Sequence, residues 1–163
     1  ALKDRLMQQR NHGHASREQI DFWAPNERLD ELQAALLEIC LGKLGDWTDC
    51  RRQKAFKYND ALRESVTVPD EAEGEYCVYQ TYVIQTNRRD ELQDYLQKND
   101  IAALIHYRTA IHMQPCAQSL GYQAEDLPET LKACGRILSL PLFPTMTDAQ
   151  QTYVIEKINE FFK

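Results

Sequence analysis

Three groups of residues in this 163-residue chain have the types and spacing to do chemistry. The first is His12-Gly13-His14, two imidazoles around a residue that tolerates positive φ. Histidines at this spacing fall on opposite sides of a helix, and no third ligand stands near them. The pair therefore reads as polar loop side chains and not as a metal site. The second group is Asn26-Glu27-Arg28. Asn26 is a good helix N-cap, because its side-chain oxygen can accept an orphan N–H of the first turn. The free N–H groups and dipole of a helix N-terminus also favour an anion, and Arg28 would add charge there. The plainer role for Arg28 is an ion pair with Asp30 or Glu31. The third group is His106-Tyr107 and His112, which follow the apolar run Ile101–Ile105 and so emerge at a strand end. Their polar rings can hydrogen-bond a ligand, or one of each pair can be buried and bonded within the chain. Acid–base catalysis by the two histidines lacks a paired-carboxylate signal.

These residues need elements to hold them. The longest helical pattern opens at Asn26, just behind Pro25, and stops at Thr67-Val68-Pro69. Apolar residues recur at Leu29, Leu32, Leu36, Ile39, Leu44, Trp47, Ala55, Tyr58 and Leu62, the three-and-four spacing of one buried stripe. A straight helix of that length would run roughly 50 Å. A domain of this size has a radius of gyration of about 15 Å. The helix must bend, at Gly42 or Gly45, or else bridge to another domain or subunit.

Before it, Leu2–Gln9 reads as a short amphipathic helix with Leu2 and Leu6 on one face, and Ser16–Phe22 as irregular chain. Phe22-Trp23-Ala24-Pro25 is an apolar lead-in expected to pack on the first turn of the long helix. After it, Pro69–Glu75 is an acidic stretch with the composition of a solvated linker. Strands are predicted at Cys77–Thr86, Ile101–Ile105 and Ile137–Leu140, and a turn at Ser119–Tyr122. Helices are predicted at Arg89–Lys98, Leu127–Arg136 and Thr147–Phe162. Pro128 is allowed in a first turn. Thr147 is a natural N-cap for a stripe made of Tyr153, Val154, Ile158 and Phe161. The pattern predicts a small sheet with helices on one face. Too few strands and no Gly-rich phosphate loop exclude a dinucleotide-binding fold.

Composition narrows the function further. The formal net charge of −6 argues against a general nucleic-acid binder. Residues 1–65 balance to zero and residues 66–163 carry the whole excess. The five cysteines, Cys40, Cys50, Cys77, Cys116 and Cys134, form no C-x-x-C and read as reduced thiols, which predicts a cytoplasmic location. No apolar run approaches the roughly 20 residues of a membrane span. No signal peptide is legible, and a chain that enters a helix at once without Met reads as cut from a longer one or as trimmed of a tag.

Five ordered motifs then add up to a resemblance. They are Arg10-Asn11-His12-Gly13, Asn26-x-Arg28-Leu29-Asp30-Glu31-x-Gln33-Ala34-Ala35, Ile105-His106-Tyr107, Ile111-His112 and Leu138-Ser139-Leu140-Pro141-Leu142-x-Pro144. Over essentially its whole length the sequence closely resembles the C-terminal part of the DegT/DnrJ/EryC1/StrS aminotransferases. These are pyridoxal-phosphate (PLP) enzymes of the aspartate-aminotransferase fold that place an amino group on nucleotide-linked keto-sugars. The resemblance implies an α+β small domain of fold type I, with a mostly antiparallel sheet. Residues 1–25 would be a remnant of the large PLP domain, 26–66 a long linking helix and 67–163 the small domain. It implies a homodimer in which Asn26, aided by Arg28, reaches the PLP phosphate held by the partner subunit. It implies that His106, Tyr107 and His112 line the sugar-nucleotide side of the site.

The same resemblance marks what this chain lacks. The family's Schiff-base lysine lies upstream of Arg-Asn-His-Gly, so no catalytic residue is expected within these residues, and no cofactor is expected to stay bound to them alone. Arg108 and Ala110 replace both prolines of the family's His-Tyr-Pro-x-Pro-Ile-His, which should loosen that loop. Leu131 stands where the family usually has a glutamate. Two readings follow. One is the C-terminal piece of a sugar aminotransferase, inactive alone; the other is a non-catalytic, stand-alone dimerising or binding module. An isolated piece should expose apolar surface and self-associate.

Overall fold

The computed structural model describes residues 2–163, and its contacts divide the chain into two units, Ala1–Gly45 and Asp46–Lys163. The division falls inside the expected linking helix and not at 25/26 and 66/67. Local chemistry accounts for part of this. Helix α2 is Glu31–Leu41 and α3 is Leu44–Leu62, separated at Gly42-Lys43. Gly42 is a glycine at which bending was expected.

In the first unit, α1 (Leu2–Gln9) leads into a knot of turns. Single antiparallel bridges join Asn11 to Asn26 and His14 to Ile20. The His12 N–H donates to the Pro25 carbonyl at 3.1 Å, and the Glu27 N–H to the Arg10 carbonyl at 2.8 Å. Gly13 sits in the middle at φ +76, where a Cβ would stand 1.7 Å from the Phe22 carbonyl oxygen. Only glycine fits both that φ and that approach. Phe22 packs under the Arg5 guanidinium of α1, 3.9 Å from ring centre, and Trp23 is 95 % exposed. Trp23 therefore does not make the lead-in packing that the apolar run suggested.

Asn26 does not cap α2. Its backbone is held extended by the bridge to Asn11, and the helix begins four residues later with Asp30 at the N-cap position. None of the residues of α2 is buried.

The second unit holds the core. Strands β1 (Tyr82–Gln85) and β2 (Ile137–Leu140) pair antiparallel, Tyr82 opposite Leu140 and Gln85 opposite Ile137. Single bridges widen the sheet on both sides, Thr67 to Gln85 and Leu104 to Ser139. The expected strands at 77–86 and 101–105 are thus shorter than their composition suggested. Tyr79 takes φ +46 and the Cys77 N–H donates to a Glu71 carboxylate oxygen at 2.8 Å, which removes 77–79 from the ladder. Asp100 takes φ +59 at the turn before Ile101, which leaves only Leu104 in bridging register.

Helices α4 (Arg89–Lys98), α5 (Pro128–Arg136) and α6 (Asp148–Phe161) complete the α+β unit. Thr147 caps α6 with a full capping box: its hydroxyl accepts from the Gln150 N–H at 3.2 Å, and the Gln150 side chain accepts from the Thr147 N–H at 2.9 Å. In α6, Val154 and Ile158 are buried as the spacing predicts, whereas Tyr153 is largely exposed. One cluster joins Tyr58 and Leu62 of α3, Tyr82, Ile84 and Leu138 of the sheet, Leu92 and Leu96 of α4, and Ile158 of α6. Burial pushes the Tyr58 and Tyr82 phenols well up, and each is hydrogen-bonded: Tyr82 to Asn59 Oδ1 at 2.6 Å and Tyr58 to the Pro141 carbonyl at 3.0 Å.

The acidic stretch 69–75 is not a free linker. Arg52 grips Glu71 with both η nitrogens and donates to the Cys77 carbonyl at 2.6 Å, while Arg63 forks onto Asp70 at 2.6 and 3.1 Å. Asn59 also donates to the Pro69 carbonyl at 2.9 Å. Among the described residues no helix is long and apolar enough to cross a membrane.

Candidate functional site

The candidate residues fall in both units. In the first, Asn26 and Arg28 form a closed local turn. Asn26 Oδ1 accepts from the Arg28 N–H at 3.3 Å and from Arg28 Nε at 3.0 Å. The ion pair expected between Arg28 and Asp30 or Glu31 is not formed. The guanidinium instead lines a hollow of about 380 Å³ with Asn11, His12, His14, Ala15, Ser16 and Arg17. Among the described residues no carboxylate lines it, so its donor set suits an anion. His12 and His14 stand edge-to-face at 6.3 Å, and His14 Nδ1 is 3.0 Å from the Ser16 carbonyl.

In the second unit, His106 and Tyr107 leave the sheet just after the bridge at Leu104. His106 Nδ1 and Ser139 Oγ share a hydrogen bond of 2.9 Å, which anchors the ring to β2. Tyr107 lies edge-on to His106 at 5.6 Å and is 73 % exposed. His112 is the opposite case, 6 % exposed within the 3-10 turn Ile111–Met113. Neither of its ring nitrogens has a hydrogen-bond partner among the described residues. Its nearest ring is Tyr122, edge-on at 6.4 Å. A buried polar group without a partner costs about 1–3 kcal/mol, so an unpaired imidazole is a place for a water or ligand atom. His106 and His112 are not bonded to each other.

Sequence reasoning missed three contributors here. Ser139 is a hydroxyl inside the apolar strand Ile137–Leu140, a signal that was legible. Arg108 donates to Asp90 Oδ1 at 2.9 Å and to Gln93 Oε1 at 3.3 Å, contacts that no local pattern announces. A groove of about 440 Å³ lined by Arg63, Asp70, Thr86 and Arg136 also lay outside the sequence reading.

Known proteins resemble this chain in sequence and in fold. The model of the DegT/DnrJ/EryC1/StrS aminotransferase family matches residues 1–159. A pleiotropic regulatory protein of Geobacillus stearothermophilus is 44% identical over 85% of this chain and 38% of its own length. The dTDP-3-amino-3,4,6-trideoxy-alpha-D-glucose transaminase of Streptomyces venezuelae is 31% identical over 98% of this chain and 43% of its own. The crystal structure of S. venezuelae DesV in complex with a ketimine intermediate superimposes with a TM-score of 0.90 at 30% identity, covering 99% of this chain and 44% of that one. The chain therefore spans about two fifths of the length of the relatives it matches.

Proposed function

The chain belongs to the DegT/DnrJ/EryC1/StrS aminotransferase family, and from that premise we propose that it is the C-terminal part of a PLP-dependent aminotransferase acting on a nucleotide-linked keto-sugar. The observation that carries the proposal is α2. Leu32, Leu36, Leu37, Ile39 and Leu41 are all more than half exposed, on more than one side of the helix. Glu31 and Glu38 mark a polar edge, but an apolar surface this wide on one helix is ordinarily covered by other chain. The remaining three fifths of a relative-length polypeptide, and a second subunit, would supply that interior in the cytoplasm.

The hollow beside Arg28 supports a role toward the cofactor. Its guanidiniums, imidazoles and hydroxyl, with no acid among them, fit a phosphate group. Asn26 and Arg28 would hold the phosphate of PLP bound by the partner subunit. Pyridoxal phosphate, when bound, supplies an electron sink for the carbon that bears the amine. Among the described residues no lysine lines the hollow, and none of its lining side chains fits the aldehyde end. By this reading the chain binds and orients, and alone it does not transaminate. His106, anchored through Ser139, the neighbouring Tyr107, and His112, with both ring nitrogens unpaired among the described residues, would take the hydroxyls or pyrophosphate of the sugar nucleotide.

A second reading is a non-catalytic dimerising or binding module. The same exposed face of α2 and the regulatory name of the Geobacillus relative favour it. One experiment bears on both: absorbance after incubation with PLP and dialysis, with native mass measured in parallel. No retained chromophore in a dimer is the expected result. A chromophore that survives dialysis would overturn the claim that the chain lacks the cofactor lysine, and a monomer would remove the shared-subunit site.

A further inference from the structure

We propose that Arg108 is a positioning residue, an electrostatic latch that ties the segment His106–Met113 to α4 and so fixes Tyr107 and His112 for a ligand. The ligand in that statement rests on the sugar-nucleotide reading above; the latch does not.

Asp90 and Gln93 lie three apart on α4 and therefore on one face of it. Together they hold the segment on both sides of His106. Gln93 Nε2 donates to the Ala103 carbonyl at 2.9 Å, before the histidine. The Gln93 amide oxygen accepts from Arg108, after it, and Asp90 takes the other arm of the same guanidinium. Asp90 is itself braced, since Arg89 Nε donates to it at 2.8 Å. Arg89 is 5 % exposed and also reaches the Cys134 carbonyl at 3.0 Å and the Ile137 carbonyl at 3.4 Å, at the junction of α5 and β2. The latch thus leads from the loop to the sheet through two arginines that share one carboxylate.

The segment has little else to fix it. His106 through Met113 contains no proline, so no ring restricts its backbone. Its other ties include His106 to Ser139, the Met113 N–H to the Ala110 carbonyl at 3.0 Å, the Gln114 N–H to the Ile111 carbonyl at 3.2 Å and the edge-on contact of His112 with Tyr122. Yet it must stay closed to keep Ala110 and His112 at 4 % and 6 % exposure. Arg108 and Asp90 are both more than half exposed, so the latch is weak and screened by salt.

Amide hydrogen exchange of the whole 163-residue chain tests this. Arg108→Gln should speed exchange at 107–113 by about threefold to fivefold, the scale of one exposed ion pair, with no change at 137–140. High salt should produce the same speeding in the unsubstituted chain and none in the variant. Arg108→Lys, which keeps the charge but loses the fork, should restore part of the protection. Unchanged exchange at 107–113 in Arg108→Gln would overturn the latch. So would a rise that includes 137–140 and that Lys does not reverse, because that is general destabilisation. Titration with UDP and dTDP, followed at the Tyr107 and His106 ring signals, reads the ligand separately. Binding weakened by Arg108→Gln and partly regained in Arg108→Lys supports positioning, and equal binding in all three proteins overturns it. If neither nucleotide binds while the exchange pattern holds, the latch stands and the sugar-nucleotide reading falls.

Discussion

Helices α2 and α3 are neighbours in sequence and carry apolar residues at the same spacing. In α2, Leu32, Leu36, Ile39 and Leu41 are 58 % to 76 % exposed, while in α3, Ala55, Tyr58 and Leu62 are fully buried. The cause lies in what each helix has to pack on. The stripe of α3 has the sheet, α4 and α6 within its own unit. The stripe of α2 has nothing comparable in the turns of the first unit. An 11-residue helix is marginal alone, since most helical stability comes from packing a face. The difference teaches that one of these helices is finished by this chain and the other calls for further surface.

The contrast can be broken most directly by truncation in each region. Leu138→Ala, beneath α3, should cost about 2–5 kcal/mol in urea unfolding, as a transfer and a cavity term together. Leu36→Ala on α2 should change the same measurement by less than about 0.5 kcal/mol at concentrations low enough for the chain to be monomeric, as exposed substitutions do. Equal losses would mean that α2 is covered in solution by a second copy, which native mass would then show.

Gly13→Ala asks whether the first unit has any specific structure of its own. The added Cβ collides with Phe22 backbone at a left-handed φ, a strain of order 1–3 kcal/mol or more. Exchange of the His12 and Asp21 amides should rise sharply, while 137–140 stay protected. Unchanged protection at His12 would show that the turn tolerates a side chain and that the knot is looser than drawn.

Tyr82→Phe probes the polar part of the core. It leaves Asn59 Oδ1 without its 2.6 Å donor and should cost about 1–2 kcal/mol by denaturant titration. A neutral result would mean that water replaces the phenol, which the complete burial of Tyr82 opposes.

The smallest effect belongs to the acidic stretch. Hydrogen bonds from Arg63 and Arg52 hold the Asp70 and Glu71 carboxyls below their ordinary range. Folded values below unfolded ones mean that the stabilisation is present above the ordinary carboxylate range of about 4 and is lost as pH falls through the lower folded values. Exchange at Cys77, whose N–H donates to Glu71, should therefore lose protection in acid, and Glu71→Gln should weaken that pH dependence. Protection that does not change with pH would show that the backbone holds this stretch without the arginines.

Much of the fold was legible because its signals are local. The bounds of α1, α4 and β2 follow from spacing within one or two turns, and Thr147 with Gln150 announces the start of α6 within four residues. Of the candidate site, the residue types were legible and their neighbours were not. The resemblance pointed to Asn26, Arg28, His106, Tyr107 and His112, but not to their surroundings. Asn26 looked like a cap because capping is a local habit, yet a bridge from Asn11 holds its backbone extended and Arg28 takes its oxygen. Loss of both prolines predicts loosening, and the contact of Arg108 with Asp90, 18 residues away on another element, was not legible because it is not local.

The residues by themselves determined the family, the order of helices and strands, and which positions repel water. They could do so because propensity, capping and periodicity act within a few residues. Only the tertiary structure decided that Leu62 is core while Leu36 is surface, that Glu71 is gripped and that His112 is buried without a partner among the described residues. Those outcomes depend on whether a distant part of the chain arrives to cover, pair or bond the group, and that is set by topology and not by local pattern.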